Sequence, residues 1–203
     1  MSKEPIIIAG GEPNSIFLEI FFKSLKTNIF KSPLIIIVSK KLLQQQMEKL
    51  NFDFEINDID KKLKDFSKLN NNKINLINVD YDFKKCFEKI TDKSNNYINE
   101  TFETALNIIK QNNFSKFING PVSKKYFLKG RTLGITEYLA KKTNKKNIAM
   151  LIFNKNLSVS PLTTHLALKD VHKNITKQKI YNQVILINNF YKKKFNKLPR
   201  IAI

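Results

Sequence analysis

Four short segments hold the residues with chemical capacity. Thr163-Thr164-His165 follows an extended stretch and places an imidazole near a strand end. Such a ring can ligate a divalent cation; an ordinary core or surface histidine is the competing reading. In Asn119-Gly120-Pro121-Val122-Ser123-Lys124, Gly120 permits close backbone approach and Pro121 fixes a turn. Lys124 can then hold a phosphate or carboxylate as a point charge, or simply be a surface lysine. Gly134-Ile135-Thr136-Glu137-Tyr138 opens a helix, where the Thr136 hydroxyl can meet a ligand or cap the helix. Gly10-Gly11-Glu12-Pro13-Asn14-Ser15 lies between the first strand and the first helix, and a helix start there offers free N–H groups to an anion. Asn14 or Ser15 acting as a plain cap explains the same segment. The absence of a full G-x-G-x-x-G disfavours a standard dinucleotide-binding fold. Cys86 is the sole cysteine, so neither an internal disulfide nor a Cys-based zinc site can form. His172 falls in a charged helical stretch and reads as surface.

Positioning these groups requires a framework, and the apolar pattern supplies one. Pro5 to Ala9 and Leu34 to Val38 are β-branched runs of strand length, and Lys73 to Val79 and Phe117-Ile118 read as further strands. Phe52 to Ile56 alternates. Helical spacing marks Ile16 to Leu25, a helix capped by Ser39 and running to about Leu50, and Tyr97 to Ile109. Ile148 to Phe153 and Leu157 to Val159 suggest a hairpin across Asn154-Lys155-Asn156. Thr176 to Phe195 reads as a long helix with Ile180, Val184, Ile187 and Tyr191 on its inward stripe. Strands alternating with helices predict an α/β fold with a parallel or mixed sheet. Leu198 to Ile203 opens another strand that stops at once, which suggests the N-terminal part of a longer protein.

Composition narrows the class. The 203 residues are 42% hydrophobic and 26% charged, ordinary values for a soluble globular chain. No apolar run approaches a membrane span, and the start lacks a secretory h-region, so a cytoplasmic setting is expected. The formal charge of +19 comes almost wholly from lysine, since Arg131 and Arg200 are the only arginines. Lysines scattered along the chain, without aromatic interleaving, speak against nucleic acid and for solvated faces. Their field would still draw in an anionic small substrate.

In this order the segments resemble the 4-hydroxythreonine-4-phosphate dehydrogenase family of vitamin B6 biosynthesis, over essentially the whole chain. Gly120-Pro121-Val122-Ser123-Lys124 matches a Gly-Pro-Val/Ile-x-Lys loop. Gly134, Thr136 and Glu137 match Gly-His-Thr-Glu, and Thr163-Thr164-His165 with Leu168 matches Thr-Thr-His. Gly11, Glu12, Pro13, Ile16 and Glu19 match the first family loop. Ile135 stands where the family has histidine and can neither donate to a substrate nor relay a proton. Asn14, Ser15, Phe17 and Leu18 replace the first loop's usual Ala, Gly, Gly and Pro.

The resemblance implies an isocitrate/isopropylmalate-dehydrogenase-like three-layer α/β/α fold of two domains, 1–120 and an incomplete central or dimerisation domain 121–203. It implies a homodimer, NAD or NADP, and a divalent metal (Zn, Mg, Mn or Co). The implied reaction oxidises and decarboxylates 4-phosphohydroxy-L-threonine. His165 then matches a metal-ligating histidine, Ile135 and Thr136 occupy substrate-contacting positions, and Lys124 gives electrostatic help in catalysis. A four-carbon sugar-acid phosphate dehydrogenase is the alternative within the enzyme class, and a non-catalytic basic binding module is the alternative outside it. Phosphate acyltransferases share the broad fold, but the Thr-Thr-His segment argues against them.

Overall fold

The β-branched runs take the extended form expected of them. In the computed structural model, which describes residues 4–62, 65–66, 69–130 and 132–203, Ile6–Ala9 forms β1 and Leu34–Val38 forms β2. Met1 to Lys3 and Arg131 lie outside the described residues. Ile56–Asp58, Ile74–Asn78 and Phe117–Asn119 are β3, β4 and β5. Phe17–Thr27, Lys40–Lys49 and Asn95–Asn112 are α1, α2 and α3. The sheet order is β3-β4-β2-β1-β5, and every pairing is parallel. β2 is completely buried, as a central parallel strand with both faces covered must be.

Alternation along the strands sends side chains to two faces. Ile8, Leu34, Ile36, Val38, Ile74 and Leu76 pack with Leu18, Phe21 and Phe22 of α1 and with Leu42 and Leu43 of α2. Ile7 and its register partner Phe117 face the other way, where Phe102 of α3 meets Phe117 with ring centroids 6.0 Å apart. These residues therefore form three layers, helices on both sides of a parallel sheet. The Ser39 hydroxyl accepts from Leu42 N and caps α2, as its sequence position predicts.

The chain divides into two compact units, Met1–Gly130 and Arg131–Ile203. Buried Phe127 and Leu128 belong to the first unit, where Phe127 stacks 6.3 Å from Phe102. In the second unit Ile135–Lys142, Leu168–Asn174 and Lys177–Phe195 form α4, α5 and α6. Thr176 caps α6, and Ile180, Val184, Ile187 and Tyr191 share its half-covered stripe. Two strand expectations need correction here. The hairpin over 148–159 is reduced to a single antiparallel bridge, Ile152 with Val159, and 198–203 forms no strand. A strand requires a ladder partner, and among the described residues the second unit contains no further strand to provide one.

Candidate active site

Strand order reverses at β1. The chain moves from β1 outward through β2, and β5 returns to the opposite edge of β1. Ligands of open parallel sheets bind outside the carboxyl ends of the strands at such a point. The two loops leaving β1 and β5 there are the Gly10-Gly11-Glu12 and Gly120-Pro121 segments singled out by sequence. They cross in direct contact: Gly120 N–H donates to Ala9 O at 2.7 Å, and Glu12 N–H donates to Pro121 O at 2.8 Å. A methyl on Gly120 would lie 2.0 Å from Gly10 O, and one on Gly11 would lie 2.4 Å from Pro121 O. The close approach foreseen at Gly120 is thus one loop against the other.

Around this crossing lies a buried polar cluster. Glu12, 3% exposed, accepts Asn14 N–H at 3.2 Å and the Ser94 hydroxyl at 2.9 Å. The Ser15 hydroxyl donates to Glu12 O and accepts from Phe17 N, so Ser15 ties the loop to the first turn of α1. Gln46 donates to Pro13 O at 2.9 Å. The Tyr97 hydroxyl accepts from Ser39 N at 3.1 Å, and burial pushes its phenol well above the usual range. Burial likewise raises the Tyr81 phenol, against the opposing pull of its hydrogen bond with Asn14. Lys124 is exposed and begins a single π turn, Lys124–Leu128, whose start is capped by Ser123 accepting from Tyr126 N. The catalytic expectation for Lys124 thus corresponds to a solvent-facing ammonium on an ordered turn.

The remaining expected site residues lie in the second unit. Gly134, extended, precedes α4 with no side-chain cap, so Ile135 and Thr136 are the first two helical residues. The capping role open to Thr136 is not taken, because the residue falls inside the helix rather than before it. A methyl on Gly134 would lie 3.0 Å from Glu137 Oε2 and 3.8 Å from His165 Nε2. The structure therefore brings the Gly134–Glu137 turn and the His165 ring together. His165 is exposed and left-handed, φ 58°, one of seven such non-glycine residues among those described. His172, in α5, is exposed as expected.

The donor set decides what this segment can hold. Among the described residues no three His, Cys, Asp or Glu side chains gather at ligating range, and His165 offers one imidazole. That does not fit a complete divalent site, which usually takes about three protein ligands, so no chemical step is routed through a metal here. The glycines at the β1 turn are occupied by the loop crossing, so they do not form a pyrophosphate cradle either. Sequence reasoning missed the Glu12–Ser94 contact, because its partners are separated by 82 residues. A carboxylate lodged between glycine and proline at a strand end was the available signal.

A doubly wound parallel sheet with two loops packed at its switch point defines an α/β protein whose loops stand where open parallel sheets take their ligands. Residues 30–203 match the family described as Pyridoxal phosphate biosynthetic protein PdxA. A 4-hydroxythreonine-4-phosphate dehydrogenase from Sulfurihydrogenibium is 34% identical over 98% of this chain and 61% of its own length. A chain from Oceanobacillus iheyensis, provisionally named D-threonate 4-phosphate dehydrogenase, is 25% identical over 100% of this chain and 63% of its own. The crystal structure of a Burkholderia phymatum 4-hydroxythreonine-4-phosphate dehydrogenase superposes with a TM-score of 0.81 at 18% identity, covering 97% of this chain and 61% of that one. This chain belongs to the PdxA family, and it spans about three fifths of the length of the relatives it matches. Among the described residues no helix is long and apolar enough to cross a membrane.

Proposed function

We propose that the protein carrying this chain is a cytoplasmic, homodimeric dehydrogenase. It oxidises and decarboxylates 4-phosphohydroxy-L-threonine to 3-amino-2-oxopropyl phosphate in pyridoxal phosphate biosynthesis. The reading includes NAD or NADP and a divalent metal (Zn, Mg, Mn or Co), and the isocitrate/isopropylmalate-dehydrogenase-like architecture. The observation that carries it is the meeting of the Gly134–Glu137 turn with the His165 imidazole, in a chain of this family. In this reading Thr136 presents a hydroxyl and the first-turn N–H groups of α4 to an anionic substrate, and His165 supplies one imidazole to the metal. Lys124, a fixed positive charge on the π turn, favours a phosphorylated acid electrostatically. Residues 1–120 would form the N-terminal α/β domain and 121–203 the central or dimerisation domain.

Ile135 and the Oceanobacillus relative favour a second reading, a phosphorylated four-carbon sugar acid lacking the amino group. An isoleucine has no donor to lose if that substrate makes no polar contact there. The whole protein carrying this chain, assayed for NAD(P)H formation with each substrate and added divalent metal, separates the two. Turnover of 4-phosphohydroxy-L-threonine supports the first; turnover of the sugar-acid phosphate alone replaces it with the second.

A further inference from the structure

Glu12 is unusual in this molecule. A chain with 36 basic residues buries this carboxylate, and among the described residues no lysine or arginine lies within ion-pair distance of it. Burying a carboxylate is costly unless its oxygens find donors, and the donors it finds come from two segments. Asn14 N–H lies in its own loop, and the Ser94 hydroxyl stands directly before α3. Its main-chain N–H adds a third link, to Pro121 O in the loop leading to Lys124.

The start of α3 in turn grips the turn that carries Lys124. Asn95 Nδ2 donates to Tyr126 O at 2.9 Å, and Lys129 Nζ reaches Asp92 at 3.3 Å. Inside the turn, Phe127 and Leu128 N–H both donate to Ser123 O, and Lys129 N–H donates to Lys124 O. Lys124 is thus held from both ends, through Pro121 before it and through Tyr126 and Lys129 after it. Both routes lead back to Glu12.

We infer that Glu12 is a positioning residue for Lys124, locking the β1 loop, the start of α3 and the 121–129 segment into one arrangement. Its consequence for turnover rests on the dehydrogenase reading; its consequence for the segment's order does not. The Glu12→Gln side chain keeps the size but loses the carboxylate, and its Oε1 can still accept from Asn14 N–H. Its NH2 makes the Ser94 hydroxyl an acceptor and turns the Ser94 proton to Thr91 O, 3.2 Å away, so the charge-assisted Ser94–Glu12 bond is lost. Ser94→Ala removes one of the same contacts more gently and serves if Glu12→Gln fails to fold.

Hydrogen exchange on the full chain should show Phe127, Leu128 and Lys129 amides exchanging about tenfold or more faster in Glu12→Gln, the scale of one lost hydrogen bond to a carboxylate. The amides of β2 should be unchanged. Ser94→Ala should shift the same amides in the same direction. With a phosphorylated hydroxy-acid substrate, Glu12→Gln should raise KM more than it lowers kcat, and Glu12→Gln/Lys124→Ala should be no worse than Lys124→Ala alone. Unchanged exchange at 127–129 in both variants overturns the inference, as does a double variant whose losses multiply. If the whole wild-type protein carrying this chain turns over neither substrate, the dehydrogenase reading fails, and the exchange comparison alone then supports or overturns the positioning role.

Discussion

Gly120→Ala tests the loop crossing at the switch point. The added methyl would stand 2.0 Å from Gly10 O and 2.6 Å from Gly10 C, whereas real Cβ atoms essentially never approach within 3.0 Å. Both neighbours are backbone, so no side chain can swing aside, and the loops must part by about 1 Å. Parting them stretches the Gly120–Ala9 and Glu12–Pro121 bonds, now 2.7 and 2.8 Å. Overpacking of this kind costs about 1–3 kcal/mol, and the weakened bonds add roughly 1 kcal/mol. Reduced freedom of the unfolded chain returns roughly 0.4–1 kcal/mol. The net loss is about 1–3.5 kcal/mol, which moves a urea midpoint down by about 1 M at a typical slope.

Gly130→Ala is the matched control. Its φ is +70°, but nothing lies within 4 Å of the added methyl. Only the left-handed conformation is penalised, at about 1 kcal/mol. Urea unfolding followed by circular dichroism should therefore place Gly120→Ala clearly below Gly130→Ala. Equal midpoints, or a Gly120→Ala protein as stable as wild type, would refute the crossing as described.

Ile135→His should raise kcat/KM for 4-phosphohydroxy-L-threonine by about tenfold, the scale of one added hydrogen bond to a charged group; an unchanged or lower value means the site is built around the isoleucine. Buried Tyr97 and half-buried Tyr81 keep their protons in the folded state at pH values where the unfolded phenol, near 10, has lost its own. The unfolded state then binds fewer protons, so stability should fall as pH rises through and above about 10. A Tyr97→Phe protein should show a shallower fall in urea midpoint over that window, and an identical slope would refute the assignment. Calorimetric titration of the 203-residue chain with zinc, manganese or cobalt should reveal no site tighter than in His165→Ala, since one imidazole is a poor chelator. A one-to-one site abolished by that substitution would mean that further donors assemble around the ring.

Local residue pattern was enough to lay out the framework of the first unit. Leu34 to Val38 read as a buried strand and is one, because five consecutive large β-branched or aliphatic residues leave no face for water. Ser39, a good N-cap before an apolar-periodic stretch, set the start of α2. The motifs around Gly120, Thr136 and His165 were legible for the same local reason, since residue type and spacing are written in one segment. Strand-like composition misled in the second unit, where Ile148 to Val159 has the residues of a hairpin but just one bridge, because a ladder needs partners that local sequence does not supply. Parallel order was decided only in three dimensions, and with it the reversal at β1 that sets the Gly10 and Gly120 loops in contact. So was the burial of Glu12 against Ser94. A carboxylate and a hydroxyl 82 residues apart meet because α3 crosses the sheet beside the β1 loop, and spacing along a chain carries no record of such a distance.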